Sequence, residues 1–390
     1  MTLTADPVLP APTPEAAAHS RLVGEYIAAD ILDAGGWIPF SRYVELALYA
    51  PGLGYYAAGA RKFGAEGDFV TAPEISPYFG RCVAMQARQV LQAVGGDILE
   101  LGPGSGALAA EVFAELKAAG AAPRNYFMLE VSPDLRERQH TLLAERHPED
   151  LGRFTWLDTL PMRFRGFVVA NEVLDVVPFA LAHRAQGGEL RERGVILSDA
   201  GFAWDDQALG EGELLRRACA VFPPGAYEYL SEVSLPAEAL VRSIATVLEA
   251  GVALFIDYGF PQREYYHPQR SMGTLRCHYR HRFHGDPFFL PGLQDITAHV
   301  DFSAMARAAE QGGAEIEGFT TQAHFLISCG LAVMVAENDP EATLSRLKAN
   351  SAVHRLIDPS EMGELFKALA IGKGMQGPLL GFQAARPLAL

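Results

Sequence analysis

The sequence predicts an α/β fold in which a parallel sheet is covered by helices. Three observations predict it. From residue 97 onward short apolar runs alternate with helical patterns, the βαβαβ rhythm of such a sheet. A knot of glycines, GPGSG, stands between the first of these runs and the helical pattern behind it, where bare backbone can approach a ligand closely. After an interruption, the run VALFIDYG (252–259) resumes the sheet with the composition of a buried strand.

The 390 residues are enough for a large core and suggest two or three domains, or one large domain with insertions. Residues 1–18, MTLTADPVLPAPTPEAAA, contain no Lys or Arg and no apolar core; they are expected to be a disordered lead-in and not a targeting segment. Leu22, Tyr26, Ile27 and Ile31, then Tyr43, Val44 and Ala47, space two helices on either side of a break at GGWIPF (35–40). A Gly-rich, aromatic loop leads through GDFVTAPEIS to a helix over 76–94, with Ser76 as N-cap and Pro77 at its first position. Together 19–95 form an N-terminal helical or lid region.

The core is expected over 96–178, 232–260 and 314–376. Its elements are strand DILELG (97–102), helix 106–119, strand NYFMLEV (125–131), helix 133–145, strand FTWLD (154–158) and strand GFVVANEV (166–173). Helix 235–249 and strand 252–259 follow, then EIEGFTTQ (315–322), a helical region to about Ile357 and the strand FKALAIGKG (366–374). Two insertions interrupt it. Residues 179–231 read as an antiparallel meander turning at Gly187-Gly188 and Ala200-Gly201, and 261–313 as a polar, aromatic segment lining an acceptor groove.

Composition excludes several functions. A net charge of −15 disfavours a duplex nucleic acid partner, whose phosphates need Lys and Arg. Four scattered cysteines without a CxxC pair indicate neither a disulfide framework nor a zinc knuckle, and fit a cytoplasmic setting. The longest apolar stretch, HFLISCGLAVMVAE from His324, is too short and too polar to span a bilayer. In CHYRHRFHGDPFF the histidines are interleaved with Arg280 and Arg282, which would repel a dication, so no metal is expected.

Gly102, Gly104 and Gly106 are spaced G-x-G-x-G, which departs from the G-x-G-x-x-G of dinucleotide sites, and no GK[ST] follows to make a P-loop. Glu100 brings a carboxylate to the end of the strand beside them. It would repel a pyrophosphate and suit a cation. A phosphate-free nucleoside carrying a sulfonium and an α-ammonium, S-adenosylmethionine, meets both conditions. Glu130, ending the next strand, is placed to accept ribose hydroxyls, and Asp158, ending the third, the adenine amino group.

In ANEVLDVVPF, Asn171, Glu172 and Asp175 sit at the carboxyl edge of the fourth strand. A helical turn there would bring Glu172 and Asp175 to one side, a pair suited to orienting and deprotonating a guanidinium. Thr71, Glu74 and Ser76, with Asp68, read either as a wall over the methionine end of the cofactor or as a capped helix start. Tyr258, at the end of the fifth strand, either walls the acceptor site or packs in the core; His278, His299 and Asp301 either line the acceptor groove or pack.

The motifs GDFVTAPEISPYFG, ELGPGSGALA, ANEVLDVVPF, IDYGF, EYYHPQRSMGTLRCHYRHR and DPFFLPGLQDITAHVDF, in this order, resemble the MidA family of class I methyltransferases. That family includes a mitochondrial protein arginine methyltransferase that assists assembly of respiratory complex I. The resemblance implies a Rossmann-like sheet of seven strands with the last antiparallel, and S-adenosylmethionine as methyl donor. It makes Gly102, Gly104 and Gly106 the cofactor loop, Glu130 the ribose ligand and Asn171-Glu172 the approach to the transferred methyl. The expected protein is a methyltransferase acting on a protein arginine. A small-molecule acceptor, a non-catalytic assembly factor that keeps the pocket, and a nicotinamide oxidoreductase are the alternatives. The sequence does not fix the oligomeric state, a homodimer included.

Overall fold

A computed structural model describes residues 9–58, 71–336, 351–383 and 390. They fall into two compact units, one drawn from Met1–Phe69, Asp175–Glu238 and Gln262–His299, the other from Val70–Leu174, Ala239–Pro261 and Val300–Leu390.

The second unit holds the main sheet. Its principal strands are β1 (Asp97–Leu101), β2 (Tyr126–Leu129), β3 (Phe154–Leu157), β4 (Phe164–Asn171), β5 (Leu248–Phe260), β6 (Glu315–Thr321) and β7 (Phe366–Lys373). They lie in the order β6-β7-β5-β4-β1-β2-β3, and the two-residue strand Val300–Asp301 pairs with the end of β5. All pairings from β3 to β5 are parallel, whereas β7 runs antiparallel to both β5 and β6. This is the expected seven-stranded arrangement. Order reverses between β1 and β4, so the crevice beyond their carboxyl ends is where such a sheet takes a ligand.

Alternation along the strands sorts the two faces. Ile98, Met128, Phe167, Val169, Val252, Leu254 and Ile256 pack with Phe79, Val83 and Phe113 from the helices Pro77–Val94 and Ala107–Ala118. The intervening Leu99, Val168, Ala253, Phe255 and Leu369 are equally buried. Both faces are therefore covered, which is why these strands carry few polar residues. Each fully buried Leu, Ile or Phe contributes roughly 1.5–3 kcal/mol.

In the first unit, Ala180–Arg184, Leu190–Ser198 and Gly201–Ala208 form the expected meander, extended by Tyr229–Val233 and by Trp37–Pro39. The GGWIPF segment is thus a strand as well as a break. Trp37 pairs with Ile196, and its indole N–H donates to the Asp205 carbonyl at 3.1 Å. Within 261–313, Arg276–Tyr279 pairs with Arg282–His284 and Asp295–Thr297 in a small antiparallel sheet, turning through Arg280 and His281, both at positive φ.

Other differences are local. Helix Pro14–Asp33 starts inside the expected lead-in, because the Thr13 hydroxyl accepts the Ala16 N–H and Pro14 suits a first helical position. The helical region after β6 consists of Gln322–Ser328, Leu331–Ala336 and 351–357, with 337–350 outside the described residues. Among the described residues no helix is long and apolar enough to cross a membrane.

Candidate active site

β1 runs into the glycine knot. Gly102, Gly104 and Gly106 all adopt positive φ (56°, 56° and 84°), and Gly106 is the N-cap residue of helix Ala107–Ala118. The Gly106 N–H donates to the Pro103 carbonyl at 2.8 Å, closing a tight turn. With no capping side chain, the first N–H groups of that helix face the carboxyl edge of the sheet.

Two buried acids flank the loop. Glu100 lies inside the protein, where the Tyr126 hydroxyl donates to its Oε2 at 2.5 Å. Burial pushes its carboxyl up to about 7; the Tyr126 bond opposes this, and the charge of Glu130 adds to it. A cation bound nearby would restore the ionised form. The unfolded carboxyl ionises near 4.5, so the burial penalty is absent below that pH and grows until the folded group also ionises at about 7. Glu100→Gln removes this penalty. Its melting temperature is therefore expected to gain on wild type as pH rises from about 5 to about 8, as read in a denaturation series; a constant difference would remove the buried acid from the pH response.

Glu130 follows β2 directly. Its Oε1 accepts the Ser132 N–H at 2.9 Å and its Oε2 the Gln139 amide at 3.2 Å, and burial raises its pKa against those bonds. Arg136 spans the ends of two strands: it donates to the Glu130 carbonyl and to the Leu157 carbonyl, and pairs with Asp158 Oδ1 at 2.8 Å. Asp158 is largely exposed, and its carboxylate is engaged by Arg136. Arg136 and Gln139 were not marked by the sequence, since RERQH reads as an ordinary helix face.

After β4 the expected helical turn does not form. Glu172 has φ 53°, and its N–H donates to the Ile256 carbonyl at 2.9 Å. That left-handed φ is incompatible with a right-handed helical turn, and Asp257 Oδ2 on β5 takes the Val173 and Leu174 N–H groups at 3.2 and 2.9 Å. Glu172 Oε1 accepts from Asn171 Nδ2 at 3.0 Å and from the Ala72 N–H at 3.3 Å. The TAPE turn and the β4 edge therefore meet at the Glu172 carboxylate, a contact invisible in the sequence. Asp175 belongs to the first unit, where it is buried and its carbonyl accepts the Ala298 N–H at 3.1 Å.

Thr71 is the N-cap residue of the short helix Ala72–Ile75, which contains the half-buried Glu74, and the Ser76 hydroxyl caps Pro77–Val94 by accepting the Tyr78 N–H at 3.3 Å. Asp68 lies outside the described residues. Tyr258 packs its ring against Phe366 at 5.3 Å, and Asp301 caps helix Phe302–Gln311 through the Ser303 and Ala304 N–H groups at 3.0 and 3.1 Å. In the first unit, the His299 N–H donates to Thr274 Oγ1 at 3.0 Å; burial, with Arg276 and His284 nearby, lowers the His278 pKa to about 4 and keeps that ring neutral at pH 7.

The donor set suits a cationic nucleoside. The loop offers backbone and no lysine, and the flanking side chains are acids, which accept hydroxyl and ammonium hydrogens and would repel phosphate. Residues 82–320 match a family of S-adenosyl-L-methionine-dependent methyltransferases. The chain belongs to the MidA-like methyltransferases. This MidA-like chain is 30% identical over 412 residues to the mitochondrial protein arginine methyltransferase NDUFAF7 homolog of Drosophila melanogaster, covering 93% of the chain and 89% of that protein. With the mitochondrial protein arginine methyltransferase NDUFAF7 of Homo sapiens it shares 28% identity over 378 residues, 86% of the chain and 80% of that protein. A Burkholderia thailandensis protein crystallised with S-adenosyl-homocysteine superposes with a TM-score of 0.92 at 46% identity, covering 96% of the chain and 98% of its own. The MidA-like methyltransferase thus has the class I fold, and S-adenosylmethionine is its methyl donor.

Proposed function

We propose that the chain methylates an arginine of a protein substrate and works in a bacterial cytoplasm. The observation carrying the arginine reading is the Glu172 carboxylate, held in a left-handed backbone conformation at the carboxyl end of β4, in a family whose named relatives are protein arginine methyltransferases. Non-glycine residues in that conformation cost energy and cluster at functional sites. The cytoplasmic reading is supported by four free cysteines, and the bacterial one by the higher identity to the Burkholderia protein than to the mitochondrial relatives.

S-adenosylmethionine supplies an electrophilic methyl group on a sulfonium. Glu130 would accept its ribose hydroxyls, and the bare backbone of the glycine loop would let the cofactor approach β1 closely. Glu172, with Asn171 fixing its orientation, would hold the guanidinium and align one nitrogen. That nitrogen bonds to the methyl carbon while the carbon–sulfur electron pair returns to sulfur, and the surplus proton leaves toward the Glu172 carboxylate.

Incubating purified protein and radiolabelled S-adenosylmethionine with a lysate lacking the enzyme is expected to label discrete proteins and, after acid hydrolysis, methylarginine. Label in a small molecule would overturn the protein acceptor. Binding without any transfer would favour an assembly factor.

A further inference from the structure

We propose that Gln139 is a positioning residue of the cofactor site, fixing the glycine loop, the Glu130 carboxylate and β3 in one arrangement. The proposal rests on Glu130 holding the ribose. Gln139 lies on helix Pro133–Arg146 with its side chain fully buried, an unusual place for a primary amide unless its hydrogen bonds are all used. They are used across three elements. Nε2 donates to the Gly104 carbonyl at 2.8 Å and to Glu130 Oε2 at 3.2 Å, and Oε1 accepts the Trp156 indole N–H at 2.8 Å.

An indole N–H can only donate, so it fixes which end of the amide is oxygen. The two N–H groups are thereby committed to the loop and the ribose acid. Gly106 fits the same design, since a Cβ there would come within 3.3 Å of Gln139 Cγ; the third glycine of the motif lets the amide's stem lie directly on the loop. One side chain therefore couples the glycine loop to the acid that faces the ribose.

Charge makes this separable from a purely structural role. Around Glu130 stand Glu100 on β1, Arg136 on the same helix as Gln139 with its guanidinium on the Glu130 carbonyl, and Asp158 after β3 paired to Arg136. Gln139 supplies a neutral donor to the carboxylate. In Gln139→Glu the two carboxyls meet where the amide bond was. With one shared proton the pair keeps the bond between the two side chains and gives up only the one to the Gly104 carbonyl, and with both ionised it loses both.

Calorimetric titration with S-adenosylmethionine tests this. Gln139→Leu is expected to weaken binding by about tenfold or more. Gln139→Glu should bind within about tenfold of wild type near pH 5.5, where only the bond to the Gly104 carbonyl is lost, and lose about a further tenfold or more by about pH 8, a fall absent in wild type. Melting curves at each pH restrict the comparison to folded protein. Wild-type affinity in both variants, or an equal loss for Gln139→Glu at every pH, overturns the positioning role. Glu130→Ala separates the assumption: if it binds as wild type, the ribose assignment falls and takes the proposal with it. If it alone loses affinity, only the proposal falls.

Discussion

Replacing Glu172 with glutamine is expected to lower methyl transfer by about 10²- to 10⁴-fold, the range lost with a positioned base, while leaving affinity for S-adenosylmethionine within about twofold. Glutamine keeps the shape and an oxygen that can still accept the Ala72 and Asn171 N–H groups, so the TAPE turn stays docked on the β4 edge. The backbone is held by other means, the Glu172 N–H on Ile256 and Asp257 on the two N–H groups that follow. Only the charge and the proton-accepting capacity are removed. Single-turnover transfer to the labelled acceptor gives the first quantity, and calorimetry the second. Turnover close to wild type would take Glu172 out of the chemistry; a parallel collapse of cofactor affinity would make it a wall of the donor pocket.

Gly102→Ala is expected to be the most damaging small substitution in the cofactor loop. The left-handed conformation at φ 56° costs an alanine about 1 kcal/mol or more. The new Cβ would also lie 2.9 Å from Val173 Cγ2, tighter than carbon atoms tolerate. Asp257 holds the Val173 backbone, so relief must come from the Val173 side chain or the loop, and binding of S-adenosylmethionine should weaken by about tenfold or more with a lowered melting temperature. Adding Val173→Ala relieves the clash and leaves the backbone strain. The double variant should therefore recover part of the loss, and the size of that part separates the two causes. Unchanged cofactor binding in Gly102→Ala would show that the donor does not lie on this loop.

What the sequence disclosed depends on how far apart the interacting residues are. β1, β4 and β5 were legible because strands buried on both faces read as apolar runs, β2 and β3 because they alternate with helical patterns, and GPGSG because glycine's backbone freedom is written in the residue itself. Trp37–Pro39 is too short to have a period, and the turn at Arg280-His281 uses neither Asn nor Gly, so both escaped notice. The antiparallel β7 followed from family resemblance. In the site, Glu130 was placed by its distance behind the glycines. The helical turn expected after Asn171 is broken at Glu172, whose φ of 53° is left-handed, and the Val173 and Leu174 N–H groups that follow bond to Asp257, 83 residues from Leu174. Gln139, Tyr126 and Arg136 look like any helix or strand residues until the fold brings them to the acids they serve.

The antiparallel β7 has a consequence for how the protein is made. Among the described strands of the sheet it is the last to be synthesised, yet it lies between β5 and β6 and pairs with both along most of its length. Until Phe366–Lys373 has been synthesised, β5 has one unpaired edge and β6 has no partner in the sheet. The half of the sheet that carries the glycine loop is complete by Asn171, so the donor-binding strands can associate early while closure waits for Phe366–Lys373.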